Sequence, residues 1–388
     1  MHEEPFIPDF LQALHAKALL GDSLSQNLMG IHYHIGDRVR ADHHQALHWY
    51  GLAAAQGNPD GCYNLSLIHG SSESVGVDKQ KQVEYCRRAS ELGHVIATRE
   101  LGRCYQNGIS VGIDNAEAIR LYVIASAKGD AIAKVQLGFM METGAGQAPD
   151  PRGAFSLYAE AAKLGEVTGM SNMALCLYNG AGTLKDRPQA AMWARRAADM
   201  GSTSAQGLLG LMFLDGEGVI KDYEEAYRYF KLSADSGYGF GQFNVAHMYE
   251  KGLGIEVNLA EAVRYYRMAA RQQDMAATRS LAGLLDTGKG VDQDKLSATE
   301  LYLIVGFSGD AEVQRALGSR YESEGYVRTG VDLIESYAWY NVSAASGNEG
   351  AIKGRASVEA KLSPAEITRA QKRSRELLAE VEANKAKK

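Results

Sequence analysis

Proline is scarce in this chain, 7 residues in 388, and cysteine scarcer still, at 4. Few prolines leave helices uninterrupted, because proline inside a helix costs about 3 kcal/mol. The cysteines, Cys62, Cys86, Cys104 and Cys176, show no CxxC and no paired spacing, which points to buried free thiols in helices. Long apolar runs are missing too. No window holds the 18 apolar residues of a membrane span, so none is expected. Basic charge is short, with a net charge of −6 and no basic stripe in the body of the chain, so no nucleic-acid partner is expected. The start, Met1-His2-Glu3-Glu4, is acidic, interrupted by Pro5 and Pro8, and followed by no apolar stretch of a signal peptide. As it stands the sequence reads as cytoplasmic; a signal peptide already removed would make it periplasmic or secreted.

Glycine is what the chain has in excess: 42 residues, against an average usage of about 7%. Gly21, Gly57, Gly93, Gly129, Gly165, Gly201 and Gly237 recur every 36 residues; Gln273 holds the next place, Gly309 resumes, and Gly347 comes two residues late. A second column keeps the same step, a large apolar residue followed by a small one: Met29-Gly30, Leu65-Ser66, Leu101-Gly102, Leu137-Gly138, Met173-Ala174, Leu209-Gly210, Val245-Ala246, Leu281-Ala282 and Leu317-Gly318. Trp49, Trp193 and Trp339 share one phase once the two-residue insertion is counted. Three residue types thus agree on one register, and a period of this size means a repeat array rather than several globular domains.

One unit, Gly201 to Gly237, shows what repeats. Ser204 to Phe213 has apolar residues at helical spacing and stops at Asp215-Gly216-Glu217-Gly218, where two glycines supply left-handed positions. Asp222 then offers an N-cap, and Tyr223 to Asp235 forms a second helix carrying Ala226, Tyr229, Phe230, Leu232 and Ala234. Gly210 and Ala234 let the two axes approach. One such hairpin cannot bury its apolar face alone, whereas a stack can.

The run Ala205, Leu209-Gly210, Gly216-Glu217-Gly218-Val219, Asp222, Ala226 and Ser233-Ala234 to Gly237 resembles the Sel-one-like repeat, a relative of the tetratricopeptide repeat with a longer period. The resemblance covers roughly residues 22 to 347. It implies an all-α fold: a right-handed α-solenoid of about nine 36-residue helix-turn-helix repeats, a tetratricopeptide-like superhelix with helical caps. Two departures predict local irregularity: Ser71-Ser72-Glu73-Ser74 in place of the Gly-x-Gly turn, and Gln273 in place of glycine.

Solenoids need polar ends. Residues 1–21 read as an N-terminal capping helix, with Asp9 and Gln12 spaced as a capping box, 22–347 as the repeats, and 348–388 as C-terminal capping helices with a basic tail. Ser363-Pro364-Ala365-Glu366 is a strong helix start, and Ile367, Ala370, Leu377 and Val381 lie near one face of the last helix.

Motifs of catalysis are thin. Gly283-Leu284-Leu285-Asp286-Thr287-Gly288-Lys289 approaches a phosphate loop, but Gly290 stands where Ser or Thr should hold magnesium, and a strand must precede such a loop. The recurrent Gly-x-Gly is turn punctuation. His32, His34, His43, His44 and His48 cluster in one repeat, with His44 and His48 four apart and His34 within reach of Asp37; two ligands fall short of a metal site. Some disulfide-rich relatives of the repeat family are linked to binding or hydrolysing cell-wall precursors or β-lactams, and their paired cysteines are absent here. The expectation is therefore no enzyme, no cofactor and no metal.

What remains is surface. The first helix of each unit should line the inner, concave wall of the solenoid, the usual groove for a partner polypeptide. Residues one before and two after the large residue of each pair point away from the packed seam, which gives Asn64, Glu100, Arg103, Gln136, Phe139, Asn172, Asn244 and His247. This mixture suits a polypeptide more than an apolar ligand. The expected function is a non-catalytic scaffold or adaptor that binds another protein in that groove. The alternative is an immunity protein that neutralises a secreted bacterial toxin, with a cell-envelope enzyme behind both.

Overall fold

A computed structural model describes residues 9–71, 76–323, 326 and 331–386. Met1 to Pro8, most of the irregular turn at Ser72 to Ser74, and Lys387 and Lys388 lie outside the described residues. The chain divides into two compact units, Met1–Ala197 and Ala198–Lys388. The described residues form 21 helices and no strand.

In unit one, α1 (Asp9–Leu19) precedes hairpins of nearly equal helices: α2 (Ser23–Ile35) with α3 (His43–Ala55), α4 (Pro59–Gly70) with α5 (Lys79–Glu91), α6 (Val95–Asn107) with α7 (Asn115–Ala127), and α8 (Ala131–Thr143) with α9 (Pro151–Lys163). Then come α10 (Val167–Asn179) and α11 (Arg187–Asp199), whose last two residues fall in unit two. Unit two pairs α12 (Thr203–Asp215) with α13 (Tyr223–Asp235), α14 (Gly239–Lys251) with α15 (Leu259–Arg271), α16 (Met275–Thr287) with α17 (Lys295–Phe307), and α18 (Ala311–Tyr321) with α19 (Leu333–Ala345). It ends in α20 (Glu349–Glu359) and α21 (Pro364–Lys385).

The repeat is built by its ends. A left-handed glycine closes most first helices: Gly216, for example, has φ 77° and its N–H bonds the Met212 carbonyl. Six residues on, Asp222 caps α13 through Oδ1, which accepts from the Glu224 and Glu225 amides, while its own N–H reaches back to the Phe213 carbonyl at 3.0 Å. The same backbone bond recurs from Asp42 to Tyr33 and from Asp150 to Met141, so each turn is closed by the residue that starts the next helix. The second glycine of the turn answers to sterics: a Cβ on Gly182 would sit 1.9 Å from the Pro151 carbonyl oxygen of the preceding hairpin. Gln273 takes φ 64°, the conformation its glycine counterparts adopt, so the irregularity expected there does not occur.

Aromatic rings fill the space that small residues open. A Cβ on Gly138 would lie 2.8 Å from the Tyr158 ring, and one on Gly210 2.6 Å from Phe230. Both rings are fully buried. A buried glutamine adds a second donor to a carbonyl in the preceding helix's last turn, which the closing glycine amide already bonds. Gln26 donates to the Ala18 carbonyl, Gln206 to that of Ala198 and Gln314 to that of Gly306, each eight residues back.

Both ends carry covering helices. α1 buries Leu11 and Ala18. α21 opens with the expected capping box of Ser363 and Glu366, and it buries Ala370, Leu377 and Val381 with Ile367 half-buried. Leu377 and Val381 join Val305, Leu317 and Trp339 in one apolar cluster.

Candidate binding surface

The surface residues singled out by register sit on first helices, but their environments differ. Asn64 on α4 is half-buried because its Nδ2 donates to Asn27 Oδ1 of the preceding first helix at 2.9 Å. On α6, Glu100 is drawn into a network: it accepts from Arg99 at 3.1 Å and Arg103 at 2.8 Å, while Arg99 also reaches Asp130 at 2.9 Å. Arg99 and Asp130 are largely buried, so Glu100 helps to compensate a desolvated charge, whereas Arg103 is exposed. Gln136 is half-buried on α8, and Phe139 is 47% exposed one turn on. Asn172 on α10 is half-buried and hydrogen-bonds the Tyr158 hydroxyl.

In unit two the register reading fails at one position. Asn244, expected on an open wall, is 6% exposed and donates to the Phe240 carbonyl of its own helix at 2.8 Å. His247, one turn later, is half-buried and stacks on Phe243 with ring centres 6.3 Å apart.

Two residues in the open register were missed. Leu67 on α4 and Leu175 on α10 share the phase of Arg103 and Phe139 and are 42% and 46% exposed. Unit one therefore carries Leu67, Arg103, Phe139 and Leu175 on four successive first helices, at 36-residue intervals. The 36-residue phase is the signal that could have found them.

The other candidates resolve into packing. His48 edges onto the Trp49 ring, with centroids 5.4 Å apart. Asp37 approaches His32 at 3.3 Å rather than His34, whose ring instead faces His43 at 5.5 Å. Among the described residues no three His, Cys, Asp or Glu side chains converge on a point that could hold a metal ion. The near phosphate loop ends α16, where Gly288 is the helix's left-handed cap. All four thiols are buried and free, and burial pushes Cys86 up to about 12 and Cys176 up to about 11, far from a reactive thiolate. No described helix is long and apolar enough to cross a membrane.

The family model of the Sel1 repeat matches the chain nine times, at residues 23–58, 59–94, 95–130, 131–166, 167–202, 203–238, 239–274, 276–304 and 311–348. No curated protein matches the sequence. Among solved structures, a protective antigen of uropathogenic Escherichia coli with an SLR fold is similar, with a TM-score of 0.60 and 26% identity over 97% of this chain and 88% of that one. A Sel1 repeat protein from Oxalobacter formigenes aligns with a TM-score of 0.57 and 26% identity, over 79% of this chain and 88% of its own.

Proposed function

The chain belongs to the Sel1 repeat family, and from that footing we propose that it is a non-catalytic adaptor that holds a partner polypeptide against the first helices of unit one. In a stack of hairpins the first helices share one wall, and extended binding surfaces of repeat proteins are built on such walls. The observation that carries the reading is the row Leu67, Arg103, Phe139 and Leu175, whose three apolar members are each 42–47% exposed. Large apolar side chains repeated in the open register are not needed there to fill the core. Rimmed by polar groups such as Gln136 and Asn172, they have the make-up of an interface, and Arg and aromatic side chains are the usual anchors of one.

The test is a pull-down from the native cell, compared between the parent and the triple variant Arg103→Ala, Phe139→Ala, Leu175→Ala. Exposed positions change stability by less than about 0.5 kcal/mol each, so affinity and folding should separate. The triple variant should lose the partner and keep a cooperative melt near that of the parent. Val123→Ala with Met192→Ala, exposed apolar positions on second helices of the same unit, should keep both. Capture that survives the triple change would rule out the row. A captured secreted toxin, inhibited in proportion to binding, would turn the adaptor into an inhibitor acting through the same surface.

A further inference from the structure

Several arginines in this chain are matched by a carboxylate one turn away: Arg120 by Glu117, Arg228 by Glu225 and Arg264 by Glu261. Two arginines near the end of unit two have no carboxylate partner among the described residues. Among the described residues Arg355 on α20 donates only to the amide oxygen of Asn341, at 2.6 Å, and has no ion pair. Arg375 on α21 has no ion pair among the described residues. The acids that could serve it are held elsewhere: Arg373, two residues before, takes Glu335 at 2.6 Å, Glu376 at 3.5 Å and Glu380 at 3.3 Å.

Both guanidinium groups line one open pocket of about 290 Å³ between α19, α20 and α21. Its other walls are mostly apolar, with Asn341 and Ser374 among them. Val342 is buried beneath it, and Ile352 and Leu378 are 43% and 40% exposed although each borders the pocket. The neighbouring pocket by α18 makes the contrast clear: Arg320 lines it too, but both of its terminal nitrogens bind the carboxylate of Asp286, at 3.1 Å and 2.9 Å.

We propose that the α19–α21 pocket binds an acidic segment of a partner polypeptide, with one large apolar side chain in the pocket and carboxylates beside it on Arg355 and Arg375. Charge complementarity selects the occupant. The chain as a whole carries −6, so two cations with no ion pair among the described residues, beside exposed apolar side chains, form a local exception that an acidic, apolar-anchored peptide would satisfy. Guanidinium groups present fixed donor pairs that match carboxylates. The two cations come from different helices, which suits two acids flanking an anchor better than a single carboxylate. An open pocket of this size also accepts one side chain rather than enclosing a whole small molecule. The site belongs to unit two and does not rest on the proposed role of unit one.

The probe is a fluorescein-labelled, C-terminally amidated nonapeptide with one leucine between two pairs of glutamates, followed by fluorescence anisotropy on the full chain. Two control peptides replace the glutamates with glutamines or the leucine with serine. The acidic leucine peptide should bind at least tenfold tighter than either control, and its affinity should fall as salt is raised from 0.05 to 0.3 M. Arg375→Gln, at an exposed position, should weaken binding about fivefold or more without changing the melt, and Arg355→Gln should do the same. The unit-one triple variant should bind the peptide as the parent does. Absent binding, equal binding of the glutamine peptide, or undiminished binding to the Arg355→Gln, Arg375→Gln double variant would overturn the proposal. So would displacement of the peptide by N-acetylleucine at an affinity equal to the peptide's own, which would make the ligand a small free acid.

Discussion

The Tyr158 hydroxyl donates to Glu142 Oε2 at 2.8 Å, from the second helix of a hairpin to the last turn of its first. Tyr266 meets Glu250 at 2.8 Å and Tyr122 meets Gln106 at 2.7 Å in the same way, each sixteen residues apart. The relationship ties two columns of the repeat together. The ring occupies space left by a small residue on the first helix, and its hydroxyl emerges beside an acceptor one turn further along. Burial first, and then the bond to Glu142, raise the Tyr158 pKa above its usual 10, so the group remains a neutral donor.

Tyr158→Phe should therefore destabilise unit one by about 1 kcal/mol, the net value of a hydrogen bond with one exposed partner. Glu142→Ala should cost a similar amount, since the buried hydroxyl loses its acceptor. The double variant should cost little more than either alone. Urea denaturation of the four proteins measures the coupling, and strict additivity would show that the bond contributes nothing.

Gly210 and Phe230 make a sharper prediction, because a Cβ at 210 would stand 2.6 Å from the ring. Gly210→Ala should lower stability although alanine is the better helix former. Adding Phe230→Leu should recover part of the loss, as the smaller side chain retreats. Gly210→Leu and Ala234→Leu, each a larger side chain at a buried position, should each cost about 1–3 kcal/mol. Thermal melts in which Gly210→Ala is more stable than the parent would contradict the contact.

Much of this architecture was legible in the sequence because backbone chemistry repeats with it. The bounds of α13 follow from Asp222 as a cap and the glycine after Ser236, and α21 follows from Ser363-Pro364. What sequence could not supply was depth. Asn64 and Asn244 hold equivalent places, yet one bonds a neighbouring helix and the other its own backbone. Exposure at such positions depends on what the adjacent first helix presents, which a single period does not encode. The same limit hid Leu67 and Leu175, whose residue type argues for burial while their phase argues against it. The pair Arg355 and Arg375 was invisible for another reason: it is assembled by helices beyond the periodic region.

Gln273 offers a test of backbone strain. It holds φ 64° in a column otherwise occupied by glycine, and a non-glycine residue there pays roughly 1–2 kcal/mol in sterics. Gln273→Gly should thus stabilise unit two by about 0.5–1 kcal/mol, the relief being partly cancelled by glycine's greater freedom in the unfolded chain. At Gly201, with φ 88° and no neighbour within 4 Å of a Cβ, substitution by alanine should destabilise through conformation alone. Opposite signs for the two variants in thermal melts are the expected outcome.

Histidine gives the last prediction, and it separates the units. Of 10 histidines only His247 lies beyond Ala197. Burial, and then His43, hold His34 below its usual 6.5. His69 is lowered by burial and then Lys81, against Asp78 and Glu84; His94 is lowered by burial, against Asp60. His94 also caps α6, with Nδ1 accepting from the Ala97 amide at 3.0 Å, a role the protonated ring cannot fill. A base whose folded pKa is depressed binds fewer protons than in the unfolded chain, so its contribution is intact above pH 6.5 and lost as pH falls below it. Hydrogen exchange, corrected for the intrinsic rate, should show residues 23–107 losing protection between pH 7 and 5.5 while α12 to α17 change little. His34→Gln, His69→Gln and His94→Asn together should abolish that difference, since asparagine still accepts at the cap. Equal loss of protection in both units, or none in either, would show that these histidines do not set the acid sensitivity of the first repeats.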